Sequence, residues 1–422
     1  MALPVWVRLV CILGLIGFLT VGATAKQGLS KGNGTAPIVQ TGIERLLENP
    51  VQLNGKRVGL ITNQTGVTKD LVHDVDALLQ RKVHVVAVYG PEHGIRGTEQ
   101  AGSASGSFQD PKTGLPFYNL YGKTPREIAR LFRDVDVVLY DIQDVGSRFY
   151  TYISTMDYAM KAAAMEDKPF IVLDRPNPIG GVKVEGPVLD PHFQSFVGLY
   201  PIPVRHGMTV GELAGWIQKQ YLVKQYGKRA NLTVIPMKGW KREMQFEETG
   251  LPWVPPSPNM PTIDTAEVYP GNGLFEGTNL SEGRGTTRPF EWIGAPYINS
   301  WELAQRLNRL DLPGVAFREV YFQPAFSKHA GKNIGGVQFY VTDQDEYEPV
   351  RTALSVMAEV KKQYPRQFSW RNDHWIDKLM GTDAVRKALD QGTSVNEIVA
   401  EWQEQLTVFE NQRKSFLLYG TE

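Results

Sequence analysis

The chain has 422 residues, with 45 Lys and Arg against 45 Asp and Glu and a single cysteine. That length is enough for a large core and two or three domains. A formal charge of zero argues against a nucleic-acid binder, and one cysteine excludes a disulfide scaffold, a zinc ribbon and an iron–sulfur site.

Arg8 supplies one positive charge, Leu9 to Val21 is an uncharged apolar run, and Ala23-Thr24-Ala25 is a small-x-small site. The pattern predicts a secretory signal over residues 1–25, cleaved near Ala25. The run is about 13 residues long, short of the roughly 20 needed to cross a bilayer. An uncleaved anchor is the competing reading. Cleavage would remove Arg8 and Cys11 and leave a net charge of −1 with no cysteine. The expected product is a secreted or periplasmic protein without membrane insertion, stabilised by core burial.

Residues 26–37 are rich in Gly, Ser and Thr and read as a flexible tether. Short apolar bursts then alternate with helical stretches. Arg57 to Thr62, Val83 to Tyr89, Val135 to Tyr140 and Phe170 to Leu173 are near-continuous runs that suit strands buried on both faces. Thr124-Pro125-Arg126-Glu127 is a capping box with proline at the first helical position. Tyr152 to Met165 has helical period, and Thr209-Val210-Gly211-Glu212 opens a helix expected to run to about Tyr221. The alternation predicts a Rossmann-like, mostly parallel α/β sheet, with a (β/α)₈ barrel as the alternative. Leu251 to Pro270 holds six prolines and is expected to break regular structure. Beyond it come a helix near Trp301–Leu307, strands near Val315–Phe322 and Gly336–Val341, and a helix over Val350–Tyr364. Ser394 caps a last helix expected to reach about Val408. The chain thus divides into a Rossmann-like domain, 38–265, and a smaller α+β domain, 266–422.

No dinucleotide fingerprint, Walker A motif, His-Glu-x-x-His or nucleophile elbow is present, so no cofactor or metal is expected. In an open α/β sheet ligands bind beyond the carboxyl ends of the strands. After the second burst, Gly90-Pro91-Glu92-His93-Gly94-Ile95-Arg96-Gly97 is a tight loop presenting Glu92, His93 and Arg96. After the third come Asp141, Gln143, Asp144, Ser147 and Arg148, then Phe149-Tyr150-Thr151-Tyr152. The fourth leads to Asp174-Arg175-Pro176-Asn177-Pro178 and on to Glu185. Farther along, Asn279-Leu280-Ser281-Glu282-Gly283-Arg284 continues to Arg288 in a Gly-punctuated polar loop. His206 precedes a capped helix and reads equally well as structural. Asn33, Asn63, Asn231 and Asn279 each begin an Asn-x-Ser/Thr triplet and are read as polar loop residues. Without a metal, the usable chemistry is carboxylates with Arg, His and Tyr, the equipment of a glycoside hydrolase.

These loops resemble the exo-β-N-acetylmuramidase NamZ-like family, long catalogued as a bacterial domain of unknown function. The matching stretches are Gly59 to Gly66, Pro91 to Gly97, Asp141 to Arg148, Asp174 to Pro178, Val184 to Pro187 and Asn279 to Thr286, in the family's order. The resemblance spans about residues 40 to 420. It implies two domains with the active site between them and removal of terminal N-acetylmuramic acid from the non-reducing end of peptidoglycan fragments. It also implies that Glu92 and Glu185 are the cleft carboxylates. Glu92 is then expected as general acid, with Glu185 activating water or steadying a substrate-assisted step. Arg96, Arg148, Arg284 and Arg288 are the candidates to read the lactyl carboxylate of the muramic acid. His93, Asp141, Asp144, Asn177, His206, Asn279 and Glu282 complete the expected substrate contacts. A non-catalytic exported protein that binds peptidoglycan fragments, or an exo-N-acetylglucosaminidase, are the rival readings.

Overall fold

A computed structural model describes residues 38–102 and 106–420, and the expected signal and tether lie outside the described residues. The four apolar bursts form four strands: β1 Val58–Thr62, β2 Val85–Gly90, β5 Val137–Asp141 and β6 Pro169–Leu173. Three strands join them that the burst pattern does not announce: β3 Phe108–Gln109, β4 Pro116–Asn119 and β7 Asn231–Ile235. The sheet order is β3-β4-β2-β1-β5-β6-β7. Every pair is parallel except β3 with β4. The chain leaves β1 toward β2 on one side and returns to β5 on the other. That reversal opens a crevice beyond the strand ends at β1, the place where open α/β sheets bind ligands.

Burial explains the central strands. Every residue of β1 and β5 is buried, as a parallel sheet covered on both faces requires. The Thr124 and Thr209 capping boxes both form, and the Ala/Met-rich helix spans Tyr152–Met165. The helix opened by Thr209 runs over Val210–Ile217, then widens into a π turn at Gln218–Leu222.

The proline-rich segment differs from expectation at its end. A helix covers Ile263–Asn272 with Pro270 inside it. Thr262 caps it through Thr265 N at 3.3 Å, and nearly every residue is buried. Tertiary packing outweighs the one backbone bond that proline forfeits.

The second sheet is antiparallel, β8-β10-β9, from β8 Trp292–Ala295, β9 Val315–Phe322 and β10 Ile334–Val341. Helices Ser300–Asn308 and Pro349–Gln363 accompany it. The helix expected from Ser394 to Val408 is two, Val395–Ala400 and Gln403–Arg413. The break between them lets Trp402 enter the core, where it is 3% exposed. One hydrophobic cluster carries side chains of both sheets, from Ile61 and Tyr140 to Phe317 and Phe339. A smaller buried cluster joins Val39, Met237, Trp240 and Tyr419. There the Tyr419 hydroxyl donates to Asp174 Oδ2 at 2.6 Å and accepts from Met237 N at 2.9 Å.

Candidate active site

The loop after β2 turns sharply. Gly94 and Gly97 take φ of 73° and 64°, and His93 takes 71° without being glycine. A histidine held in the left-handed region stores strain of the kind found at working sites. The result aims Glu92 and His93 into a cavity of about 420 Å³, within the range of small-ligand pockets. Both are 6% exposed.

Glu92 is held at both oxygens. Gly102 N–H donates to Oε1 at 2.8 Å, and the Thr151 hydroxyl meets Oε2 at 2.6 Å. The Tyr121 hydroxyl also bonds to Glu92; burial first, and the Glu92 charge next, push Tyr121 up to about 12, so it remains a donor. His93 Nδ1 lies 2.6 Å from Glu99 O. A carbonyl only accepts, so the proton sits on Nδ1 and Nε2 is left as the ring's acceptor. Burial, opposed by Glu92, lowers His93 from its ordinary value and favours the neutral ring.

The loop after β5 supplies Phe149, Tyr150 and Thr151, so the cavity opens across the crevice between β2 and β5. Its far wall comes from distant sequence: Tyr269, Glu276, Arg284, Phe290, Arg371 and Trp375. Tyr269 is the hub, with the rings of Phe149, Tyr150 and Phe290 standing edge-on at 5.2, 5.7 and 4.8 Å. Such a wall offers flat apolar surface to a sugar ring. Arg284 stacks over Phe290 at 4.9 Å, donates to Glu276 at 2.7 Å and reaches Glu282 at 3.4 Å. Burial opposes its charge, and the Glu276 and Glu282 charges outweigh that and raise Arg284.

Of the residues expected at the site, Glu92, His93 and Arg284 line this cavity together. The others lie elsewhere, each with a structural occupation. Glu185 Oε1 accepts from Arg351 N at 2.8 Å, Oε2 has no hydrogen-bond partner within 3.5 Å among the described residues, and burial pushes the carboxyl up to about 7. Arg96 pairs with Asp110 at 2.8 Å on the outer side of the loop and lines a different pocket. Arg148 is buried and donates to the carbonyls of Pro187, Ile202 and Leu379 at 2.7–2.8 Å. Arg288 pairs with Glu291 at 3.0 Å.

Asp141 binds Arg175 through both oxygens, at 2.5 and 2.9 Å, and burial pushes it up to about 6 against that pairing. Asp144 caps Gly146 N at 2.8 Å, and burial raises it to about 7. Asn177 ties Met208 O to Ile179 N. His206 accepts from Met208 N, and burial pulls it down to about 3. Asn279 bridges Gln367 O, Ser369 N and Tyr297. Glu282 pairs with Lys328 at 2.9 Å.

Comparison with known proteins decides the family. Two models of exo-β-N-acetylmuramidase NamZ match end to end, the N-terminal one over residues 58–264 and the C-terminal one over residues 267–419. The chain belongs to the NamZ exo-β-N-acetylmuramidase family. A peptidoglycan β-N-acetylmuramidase NamZ of Bacillus subtilis (strain 168) is 52% identical over 410 residues, 96% of this chain and 98% of that protein. Membership makes the chain a glycoside hydrolase. Two crystal structures of DUF1343 family proteins from Bacteroides fragilis NCTC 9343 share the NamZ fold. One has TM-score 0.84 and 40% identity over 90% of this chain and 99% of that one. The other has TM-score 0.74 and 32% identity over 91% and 99%.

Proposed function

We propose that the enzyme removes N-acetylmuramic acid from the non-reducing end of peptidoglycan fragments, with Glu92 as its acid–base carboxylate. Family membership supports the activity. The observation that carries the residue is the seating of Glu92 at the sheet's switch point, with both oxygens held and the aromatic wall opposite.

Gly102 N–H can only donate, so Oε1 stays an acceptor, and a proton on Glu92 belongs on Oε2. The Thr151 hydroxyl can donate or accept and so tolerates both protonation states. Among the described cavity-lining residues the carboxylates are Glu92 and Glu276. Glu276 is fixed by Arg284 and is suited to orient the substrate's acetamide N–H rather than to attack. The nucleophile in this reading is the N-acetyl oxygen of the substrate. It bonds to the anomeric carbon as the glycosidic bond breaks and Glu92 gives its proton to the leaving oxygen. Water then opens the oxazolinium ring, yielding its proton to Glu92, and the anomeric configuration is retained.

Glu92→Gln should reduce turnover of a chromogenic N-acetylmuramide by about 1000-fold with an unchanged melting temperature, a loss within the usual share of acid–base catalysis. Full activity would remove Glu92 from the reaction. We also read the enzyme as exported, because its substrate lies outside the cytoplasm and Leu9 to Ala25 has the pattern of a cleaved signal. N-terminal sequencing of protein recovered from outside the cell should then begin near Lys26.

A further inference from the structure

We propose that Arg371, carried on the Trp375 ring at the cleft wall, reads the lactyl carboxylate that distinguishes N-acetylmuramic acid from N-acetylglucosamine. This rests on the muramidase reading above and extends it to a specificity residue. The lactyl group adds one negative charge to the sugar, and a carboxylate entering a half-buried cleft calls for a cation with donors to spare.

Three of the four arginines at the signature loops have no such capacity. Arg96 and Arg288 do not line the cleft, and Arg148 is buried and spent on three backbone carbonyls. Arg284 does line it, but with Lys328 it is balanced by Glu276 and Glu282, and its side chain is only 16% exposed. Another anion there would have to displace a buried ion pair.

Arg371 differs on each count. Its side chain is 45% exposed, and among the described residues its ion pair is to Asp373 at 2.7 Å, a carboxylate itself 51% exposed. A pair so solvated holds its partner weakly and yields readily. The guanidinium lies 5.4 Å from the centre of the Trp375 ring, a cation–π contact that holds it at the wall without using its N–H donors. Gly277 O holds the Arg371 backbone N–H at 2.9 Å, one residue from the cavity-lining Glu276. The reader is thereby tied to the same turn that carries Glu276.

The test crosses two substrates with two enzymes. The substrates are 4-nitrophenyl N-acetylmuramide and the same compound with its lactyl carboxyl converted to the methyl ester. The wild type should prefer the free acid. In Arg371→Gln, kcat/KM for the acid should fall about 10- to 100-fold, as expected for losing hydrogen bonds to a charged group. For the ester it should change less than about threefold, so the preference disappears. Arg371→Lys should recover part of it, since the charge returns without the fork. Equal losses on both substrates, or an undiminished preference for the acid, would overturn the assignment. Failure of the wild type to cleave either muramide would instead overturn the muramidase reading, and this inference with it. Unchanged melting temperatures exclude misfolding.

Discussion

At the residue scale, the signature loops carry two kinds of polar side chain that look alike in sequence. Glu92 and Arg284 face the cavity, while Arg148 faces backbone. Arg148 joins three carbonyls from separate segments, and burial pulls it down to about 9, so it is still charged at neutral pH. Arg148→Ala should cost at least about 3 kcal/mol, because three buried acceptors lose their donor at roughly 1–3 kcal/mol each. Urea denaturation measures this; a loss below about 1 kcal/mol would show that the carbonyls find other partners. Position after a strand therefore identified the loops but not which side chain turns outward. Glu92 and His93 were readable because glycines flank them on a strand-end turn. Tyr269, Glu276, Arg371 and Trp375 were not, because they reach the cleft from the second half of the chain through tertiary packing. The dense Trp370-Arg371-Asn372-Asp373-His374-Trp375 turn and the aromatic run Phe149 to Tyr152 were the signals available.

At the scale of elements, Glu185 acts across the molecule. Arg351, whose N–H it accepts, is the third residue of the helix Pro349–Gln363, so Glu185 caps that helix from 166 residues away. Glu185→Gln keeps an acceptor and should hold both the helix and kcat within about threefold. Glu185→Ala should lose about 1 kcal/mol, the usual worth of a cap, with kcat retained. A Glu185→Gln enzyme that folds but has no turnover would return Glu185 to the chemistry. The same pairing shows why elements differed in legibility. β1, β2, β5 and β6 are apolar runs covered on both faces, and their sequence says so. β3 is two exposed residues and β7 has no fully buried position, so neither leaves a hydrophobic period to read.

For the whole molecule, burial dominates the titration. It raises Asp141 to about 6, and Asp144, Asp174, Glu185 and Glu267 to about 7. Each holds a proton in the folded state that the unfolded chain gives up near pH 4. Their contribution is therefore complete below about pH 4 and is lost as pH rises through 6 to 7. His206, lowered to about 3, works in the opposite sense, but its loss begins only as pH falls below about 6.5. Between pH 6 and 8 the carboxyls prevail, so the melting temperature should be several degrees higher at pH 6 than at pH 8. Thermal melts across that range would refute this if stability rose toward pH 8.

The seam at Tyr419 sets an order of events for the growing chain. Tyr419 closes over Met237, 182 residues upstream, and completes the hydrogen bonds of Asp174. A chain made N-terminus first reaches Tyr419 only after every strand of both sheets has been synthesised. Until then Asp174 lacks one of its donors. The seam is thus a late closure: the hydrogen bonds of Asp174 and Met237 are complete only once residue 419 is in place.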